Sequence, residues 1–385
     1  MINILENSLC SGCHACAIVC PNQCIQMTSD DEGFWYPQVD NEKCIDCGLC
    51  EKVCPIIHKW NPDANRSATS MAAINNDEEI RHYSSSGGIF TLIAEAILNR
   101  GGVVFGAAFA DDFKSVHHIC VDNYDDLNLL RGSKYVQSCI GDTYKQTKDY
   151  LDSGRIVLFT GTPCQIGGLN SYLRKPYVNL YTQDIICHGV PSPMVWKKYV
   201  ELRERNAESS TKRISFRHKK YGWKTFSVLF EFSNNTEYEM NLREDPFMRA
   251  FLSNSCLRPS CYDCSFKGIE RQSDITLADF WGIENVLPDM DDDKGTSLVL
   301  VHSKKGEELI ARIGDRARFE PVDCSVVEKY NPSAVRSAPY NNKRSAFLRD
   351  IKKADYEKTV KKYTKVSFLR RVLVKIGRIK KLMNR

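Results

Sequence analysis

The stretch RIVLFTGTPCQIGGLNSYLRKPYVNLYTQDIICHGVPSP (155–193) decides the fold class. Arg155 to Thr160 reads as a buried strand. Gly161, Thr162 and Pro163 break it and open a helix that runs to about Leu173. Leu180 to Cys187 reads as the next strand, and Pro191 opens a helix to about Asn206. Strand, helix, strand at this spacing is a parallel βαβ unit. Cys164 follows the first strand and Cys187 closes the second. Parallel strands joined by one helix put both carboxyl ends on one sheet edge, where open α/β folds place ligands.

Outward from this unit the α/β pattern continues. Gly88 to Arg100 has apolar residues at helical spacing and is stopped by Gly101 and Gly102; Val103 to Phe109 reads as a buried strand. Arg213–Arg217 and Thr225–Phe232 alternate like an antiparallel patch, and Ser297–His302 is a strand before a helix at Glu307–Ile313. The fold class is α/β (α+β overall), with a large mixed body over residues 71–325. A polar stretch, NPDANRSATS (61–70), reads as a linker. A small domain precedes it at 1–60, and a C-terminal extension follows at 326–385.

The chain has 385 residues, 17 of them Cys. That is too sparse for a disulfide scaffold and too many for an ordinary enzyme. The N-terminus lacks the basic start and apolar core of a secretory signal, and no run approaches a membrane span. The expectation is a reducing, cytoplasmic compartment with cysteines kept for metal. The formal net charge is +5, but Lys358 to Arg385 contributes eleven basic residues and no acid, leaving 42 basic and 48 acidic groups elsewhere. The body is mildly acidic, so nucleic acid is not an expected partner.

Cys10, Cys13, Cys16 and Cys20 have the spacing C-x2-C-x2-C-x3-C, followed by Pro21. Cys44, Cys47, Cys50 and Cys54 repeat it, followed by Pro55. Three closely spaced thiolates wrap one cubane and the fourth cysteine reaches the other. Cys10, Cys13, Cys16 and Cys54 should therefore hold one [4Fe–4S] cluster, and Cys44, Cys47, Cys50 and Cys20 the second. Gly33–Val39 should cover them. This module resembles bacterial two-cluster ferredoxins. A double zinc site is the alternative, but zinc has no use for the duplicated triplet and proline. Cys24 falls outside the pattern and reads as a small buried residue against a cluster.

Cys164, Cys187 and the pair Cys261 and Cys264 make a second kind of four-thiolate set. A rival grouping, Cys256, Cys261 and Cys264 with a distant fourth such as Cys324, has plant-type [2Fe–2S] spacing. Ser84 to Gly88, with Ser86, Gly87 and Gly88 before a helix, suits a phosphate-bearing cofactor, and Gly161 and Thr162 could play a similar part. No G-x-G-x-x-G or G-x-x-x-x-G-K-[ST] is present, and no radical S-adenosylmethionine triplet.

The stretches SSSGGIFT (84–91), RGSKYVQS (131–138), GTPCQIGGL (161–169), DIICHGVPS (184–192) and CYDCSFKGIERQSDITLADFWG (261–282) occur in this order. Together they resemble the coenzyme F420 hydrogenase/dehydrogenase beta-subunit family over roughly residues 71–325. The resemblance implies an FAD-containing electron-transfer domain with a [4Fe–4S] cluster on Cys164, Cys187, Cys261 and Cys264. It implies flavin contacts at Ser86, Gly87 and Gly88, and at Ser133, Lys134, Tyr135 and Gln137. Asp274, Asp279 and Trp281 match a family segment without a readable role.

The expected function is an iron–sulfur flavoprotein oxidoreductase linking a one-electron donor to a two-electron acceptor. Its cofactors are three [4Fe–4S] clusters and FAD. The alternative is an electron-transfer subunit serving a separate catalytic partner, with an acceptor other than coenzyme F420. The expected partners are a redox protein or small electron carrier and a small-molecule acceptor. No catalytic acid–base pair stands out among the eight histidines; His188 could serve a cofactor or the structure. Residues 364–385 place Phe368, Val372, Ile376, Ile379 and Met383 on one helical stripe flanked by Arg370, Arg371, Lys375, Arg378 and Lys381. Such a helix can dock on protein or lie at the inner face of a membrane.

Overall fold

The computed structural model describes residues 2, 7–61 and 67–364. In chain order its strands are β1 Ile25–Ser29, β2 Trp35–Val39, β3 Thr69–Asn75, β4 Val103–Phe109, β5 Val116–Val121, β6 Ser138–Cys139 and β7 Val157–Thr160. They continue as β8 Leu180–Ile185, β9 Thr211–His218, β10 Ser227–Phe232, β11 Glu237–Asn241, β12 Ile275–Asp279, β13 Ser297–Val301 and β14 Ala317–Val322. The tail stripe expected beyond Thr364 lies outside the described residues.

A nine-stranded sheet has the order β14-β3-β13-β12-β8-β7-β4-β5-β6. Its middle four strands, β12, β8, β7 and β4, are parallel neighbours. β7 and β8 flank the helix Pro163–Leu173, so the unit read from 155–193 stands as expected. The remaining strands make the sheet mixed: β13, β3 and β14 add antiparallel on one side, and β5 adds antiparallel to β4 on the other. β3 starts at Thr69, inside the stretch expected as linker. Ser70 secures it there by donating to the Val322 carbonyl at 2.7 Å.

A separate antiparallel sheet, β11-β10-β9, lies over an aromatic core. Trp196, Phe216, Phe230 and Phe247 meet there, with Trp196 and Phe247 rings 4.9 Å apart. Phe347, Leu348, Ile351 and Val360 join the same core. The described residues of the C-terminal extension, 326–364, thus pack into the body.

The described part of the small domain also packs into the body. Ala15 and Val53 are fully buried against Phe105, Tyr144 and Leu169. Gly168 permits that approach: a Cβ there would stand 2.8 Å from Cys13 Cβ and 2.9 Å from the Tyr144 hydroxyl. Gly168→Ala should therefore lower stability by about 1–3 kcal/mol through overpacking. A fall in melting temperature would register it, and an unchanged melt would show that the two surfaces are not in contact.

Candidate functional site

The site consists of three cysteine-lined regions and one large cleft. In the first region, Cys13 sits near Cys10 and Cys54, and Cys16 near Cys13, Cys10 and Cys54. Two very short helices, Ala15–Ile18 and Leu49–Lys52, carry the cysteine turns. Each follows a left-handed residue, His14 or Gly48, which turns the chain sharply between neighbouring cysteines. In the second region, Cys20, Cys44, Cys47 and Cys50 line one cavity together with Cys24. Cys54 thus stands with the first triplet and Cys20 with the second. Cys24 is buried, with its sulfur 3.2 Å from that of Cys20. Cys47 and Ile45 are exposed at the outer end.

In the third region, Cys164, Cys187, Cys261 and Cys264 line one cavity. Cys256 does not join them; it lies fully buried in the aromatic core. Cys324 lies elsewhere too, its thiol on the Ala68 carbonyl and the Ser70 hydroxyl. The rival grouping is therefore not brought together. Burial pushes the Cys261 thiol up to about 12, partly offset by the Val190 amide and Arg258. It also raises Cys164 and Cys187, with Lys267 opposing the rise at Cys187. Thiols buried this way are protonated at neutral pH, and metal ligation is what deprotonates them. Among the described residues, no three His, Cys, Asp or Glu side chains converge on a point as a single ion requires. The four thiols instead surround a volume, which suits a cubane. Arg258, Lys267 and Arg271 line the same cavity and supply positive charge against an anionic cluster. Lys267 is fixed by the carbonyls of Cys187 (2.6 Å) and Ser333 (2.7 Å).

The large cleft opens at the carboxyl ends of β7 and β8. Ser86, Gly88, Ser133, Lys134, Tyr135, Gln137, Gly161 and Thr162 all line it. Gly87 does not. Its amide donates to the Ser297 hydroxyl at 3.0 Å and its carbonyl accepts from Asn75 at 2.8 Å, so Gly87 lets the turn lie against β3 and β13. Gln137 lines the cleft, but its amide is engaged by the Ser11 carbonyl and by Arg258. The Ser85 hydroxyl ties the two lining segments together by accepting from the Ser133 amide at 2.7 Å. Lys219 fixes the turn through the carbonyls of Arg81, Ser86 and Lys294. Arg217, buried over the Phe226 ring, binds both oxygens of Asp279 at 2.8 and 3.0 Å and reaches the Ser85 carbonyl at 3.2 Å. Asp279 thus has a scaffold role, as does Asp274, which accepts from the Thr182 amide and hydroxyl. Trp281 stacks on Trp223 at 4.9 Å.

Sequence reading missed three cleft residues. Gln183 lines the cleft, and its buried Oε1 has no hydrogen-bond partner among the described residues. His118 is held by Ser138 (2.7 Å) and the Thr160 carbonyl (2.9 Å), and burial pushes its pKa down to about 4, so it stays neutral. Its Nε2 must donate to that carbonyl, leaving Nδ1 to accept from Ser138. Ser11, from the small domain, lines both the cleft and the third cysteine cavity. His188 borders the third cavity and bonds Asn254 at 2.7 Å. Nothing local marks Gln183 in the sequence, since it sits between Thr182 and Asp184 in a strand with three polar residues in a row.

Fold and site together define an iron–sulfur domain set against a mixed α/β body with a cofactor-sized cleft. The comparisons agree. Residues 9–56 match the family described as 4Fe-4S dicluster domain, and residues 39–83 the 4Fe-4S single cluster domain of Ferredoxin I. Residues 154–326 match the family described as the C terminus of the coenzyme F420 hydrogenase/dehydrogenase beta chain. The chain thus joins residues that match ferredoxin-type 4Fe–4S domains to a body of which residues 154–326 match the C-terminal part of the coenzyme F420 hydrogenase/dehydrogenase beta-subunit family. It is 26% identical over 197 residues to the coenzyme F420-dependent sulfite reductase of Methanocaldococcus jannaschii, covering 49% of this chain and 29% of that protein. It is 19% identical over 171 residues to one of the subunits of the F(420)H(2) dehydrogenase of Methanosarcina mazei, covering 42% of this chain and 48% of that one. The chain spans less than half the length of either relative. A chain of the F420-reducing [NiFe] hydrogenase complex from Methanosarcina barkeri superposes with a TM-score of 0.47 at 17% identity, covering 71% of this chain and 87% of that one.

Proposed function

We propose that the chain is an oxidoreductase that passes electrons between a one-electron donor and a two-electron acceptor. The proposed cofactors are two [4Fe–4S] clusters in the first sixty residues, a third on Cys164, Cys187, Cys261 and Cys264, and FAD in the cleft. One observation carries this reading: Cys164 lines the four-thiol cavity and the cleft at once. A cluster ligand would then stand in the wall of the flavin site. Bound there, FAD supplies the exchange between single electrons and electron pairs that clusters lack.

The protein's own residues do the rest. Thr162 opens the helix carrying Cys164, and its hydroxyl lies 3.1 Å from that sulfur. A hydrogen bond to sulfur is one of the levers that set a cluster's potential. Lys134 donates to the carbonyls of Leu129 and Arg131 and faces the cleft as the phosphate partner. The exposed end of the small domain, at Cys47 and Ile45, is the side open to a carrier. Among the described residues no helix is long and apolar enough to cross a membrane.

Burial pushes Lys134 down to about 7, against about 10.4 for a free lysine. A phosphate would raise it again, so FAD binding to the apoprotein takes up a proton above pH 7. FAD affinity should therefore weaken as pH rises from 7, by up to about tenfold per unit. Titration of apoprotein with FAD at pH 6.5, 7.5 and 8.5 checks this, and a flat profile removes Lys134 from the phosphate site.

The second reading is a subunit that hands electrons to a separate catalytic chain. It draws support from the relative whose own name is that of a dehydrogenase subunit. Anaerobic reduction of the purified protein by a one-electron donor tests both readings. Bleaching of flavin bands with no turnover of any small acceptor favours the subunit. Cluster bands without any flavin contradict both.

A further inference from the structure

Arg258 has no exposed surface, yet it carries a full charge at the junction of the small domain and the body. Its three nitrogens point three ways. Nε donates to the Cys10 carbonyl at 2.7 Å, Nη2 to the Trp35 carbonyl at 2.8 Å, and Nη1 to Gln137 Oε1 at 3.1 Å. Its face lies over Tyr36, 4.4 Å from the ring centre. All these acceptors are neutral. Among the described residues it has no carboxylate partner, unlike Arg344, which grips Glu32, and Arg217, which grips Asp279.

A buried cation without a counter-charge is costly, and the cost is met when an anion stands nearby. The groups that can become anionic around Arg258 are thiols. Cys10 is reached through its own carbonyl, Cys261 shares the third cavity with Arg258, and Gln137 connects it to the cleft wall. On the reading given above, the neighbouring cysteine sets carry anionic clusters. We infer that Arg258 is a positioning residue that locks the first cysteine set in register with the third set and the cleft, its charge favouring electrons on the clusters it adjoins. Its three-way fork is what a lysine, a point charge, cannot copy.

The test uses the full-length protein purified anaerobically, as wild type, Arg258→Gln, Arg258→Lys and Arg344→Gln. Arg344 also ties the small domain down, through Glu32 and the Leu257 carbonyl at 2.8 Å, but lines neither cavity, so it reports docking alone. Iron and flavin are counted first; a wild type lacking the third cluster or FAD defeats the underlying reading, whatever Arg258 does. With cofactors present, the clusters are poised at one ambient potential and the reduced fraction of each is read by EPR. Arg258→Gln is expected to lower the reduced-to-oxidised ratio of an adjoining cluster by about tenfold or more, while Arg344→Gln leaves it unchanged. Equal ratios in Arg258→Gln and wild type overturn the inference. If Arg258→Gln does not retain its clusters, Arg258→Lys decides. It keeps the charge and loses the fork, so flavin reduction from the small domain should slow at least about tenfold with the ratios near wild type. An unchanged rate overturns the inference.

Discussion

Cys261→Ala should yield a protein with about eight iron atoms per chain where the wild type has about twelve. Its small-domain spectrum and FAD content should be kept. The four thiols of the third set share one cavity, and none of the nine small-domain cysteines lines it. A cubane rarely survives loss of a thiolate without a substitute ligand. The nearest spare cysteine in sequence, Cys256, is buried in the aromatic core and does not line the cavity. The loss should therefore be specific, and electron delivery to the flavin should slow sharply. Iron, sulfide and flavin counts on the variant check it; loss of all twelve would mean the three sites form one folding unit.

Arg217→Ala should have the largest effect on stability. It removes both bonds to Asp279 and the bond to the Ser85 carbonyl. Among the described residues the Asp279 carboxylate then keeps only the Trp223 indole at 3.1 Å. Stripping one partner from a buried ion pair costs about 3–5 kcal/mol. The Ser84–Gly88 turn loses an anchor in the same stroke, so FAD retention should fall with the melting temperature. Replacing both partners, as Arg217→Met with Asp279→Leu, should recover much of the stability and little of the flavin. If the single variant melts with the wild type, the pair is not the brace described here.

Local chemistry made much of this legible in the sequence. The duplicated cysteine triplets fix their own geometry over a few residues, and the 155–193 unit carries its own strand and helix periods. What stayed hidden depends on contacts between distant segments. β12 lies beside β8, about ninety residues earlier, and β3 and β14 close one side of the sheet, none of which a local period can encode. Arg258 reads as an ordinary arginine in CLRPSC until Cys10 and Trp35 are folded onto it. Gly87 belongs to a glycine-rich turn of the expected kind, yet faces β3 rather than the cleft, because the turn's direction is set by Ser297 and Asn75.

The most direct test of the account is the cofactor count on protein purified without oxygen. It predicts about twelve iron and twelve sulfide atoms and one FAD per chain, from three cubanes and one flavin. Eight iron atoms, or twelve with no flavin, would contradict it.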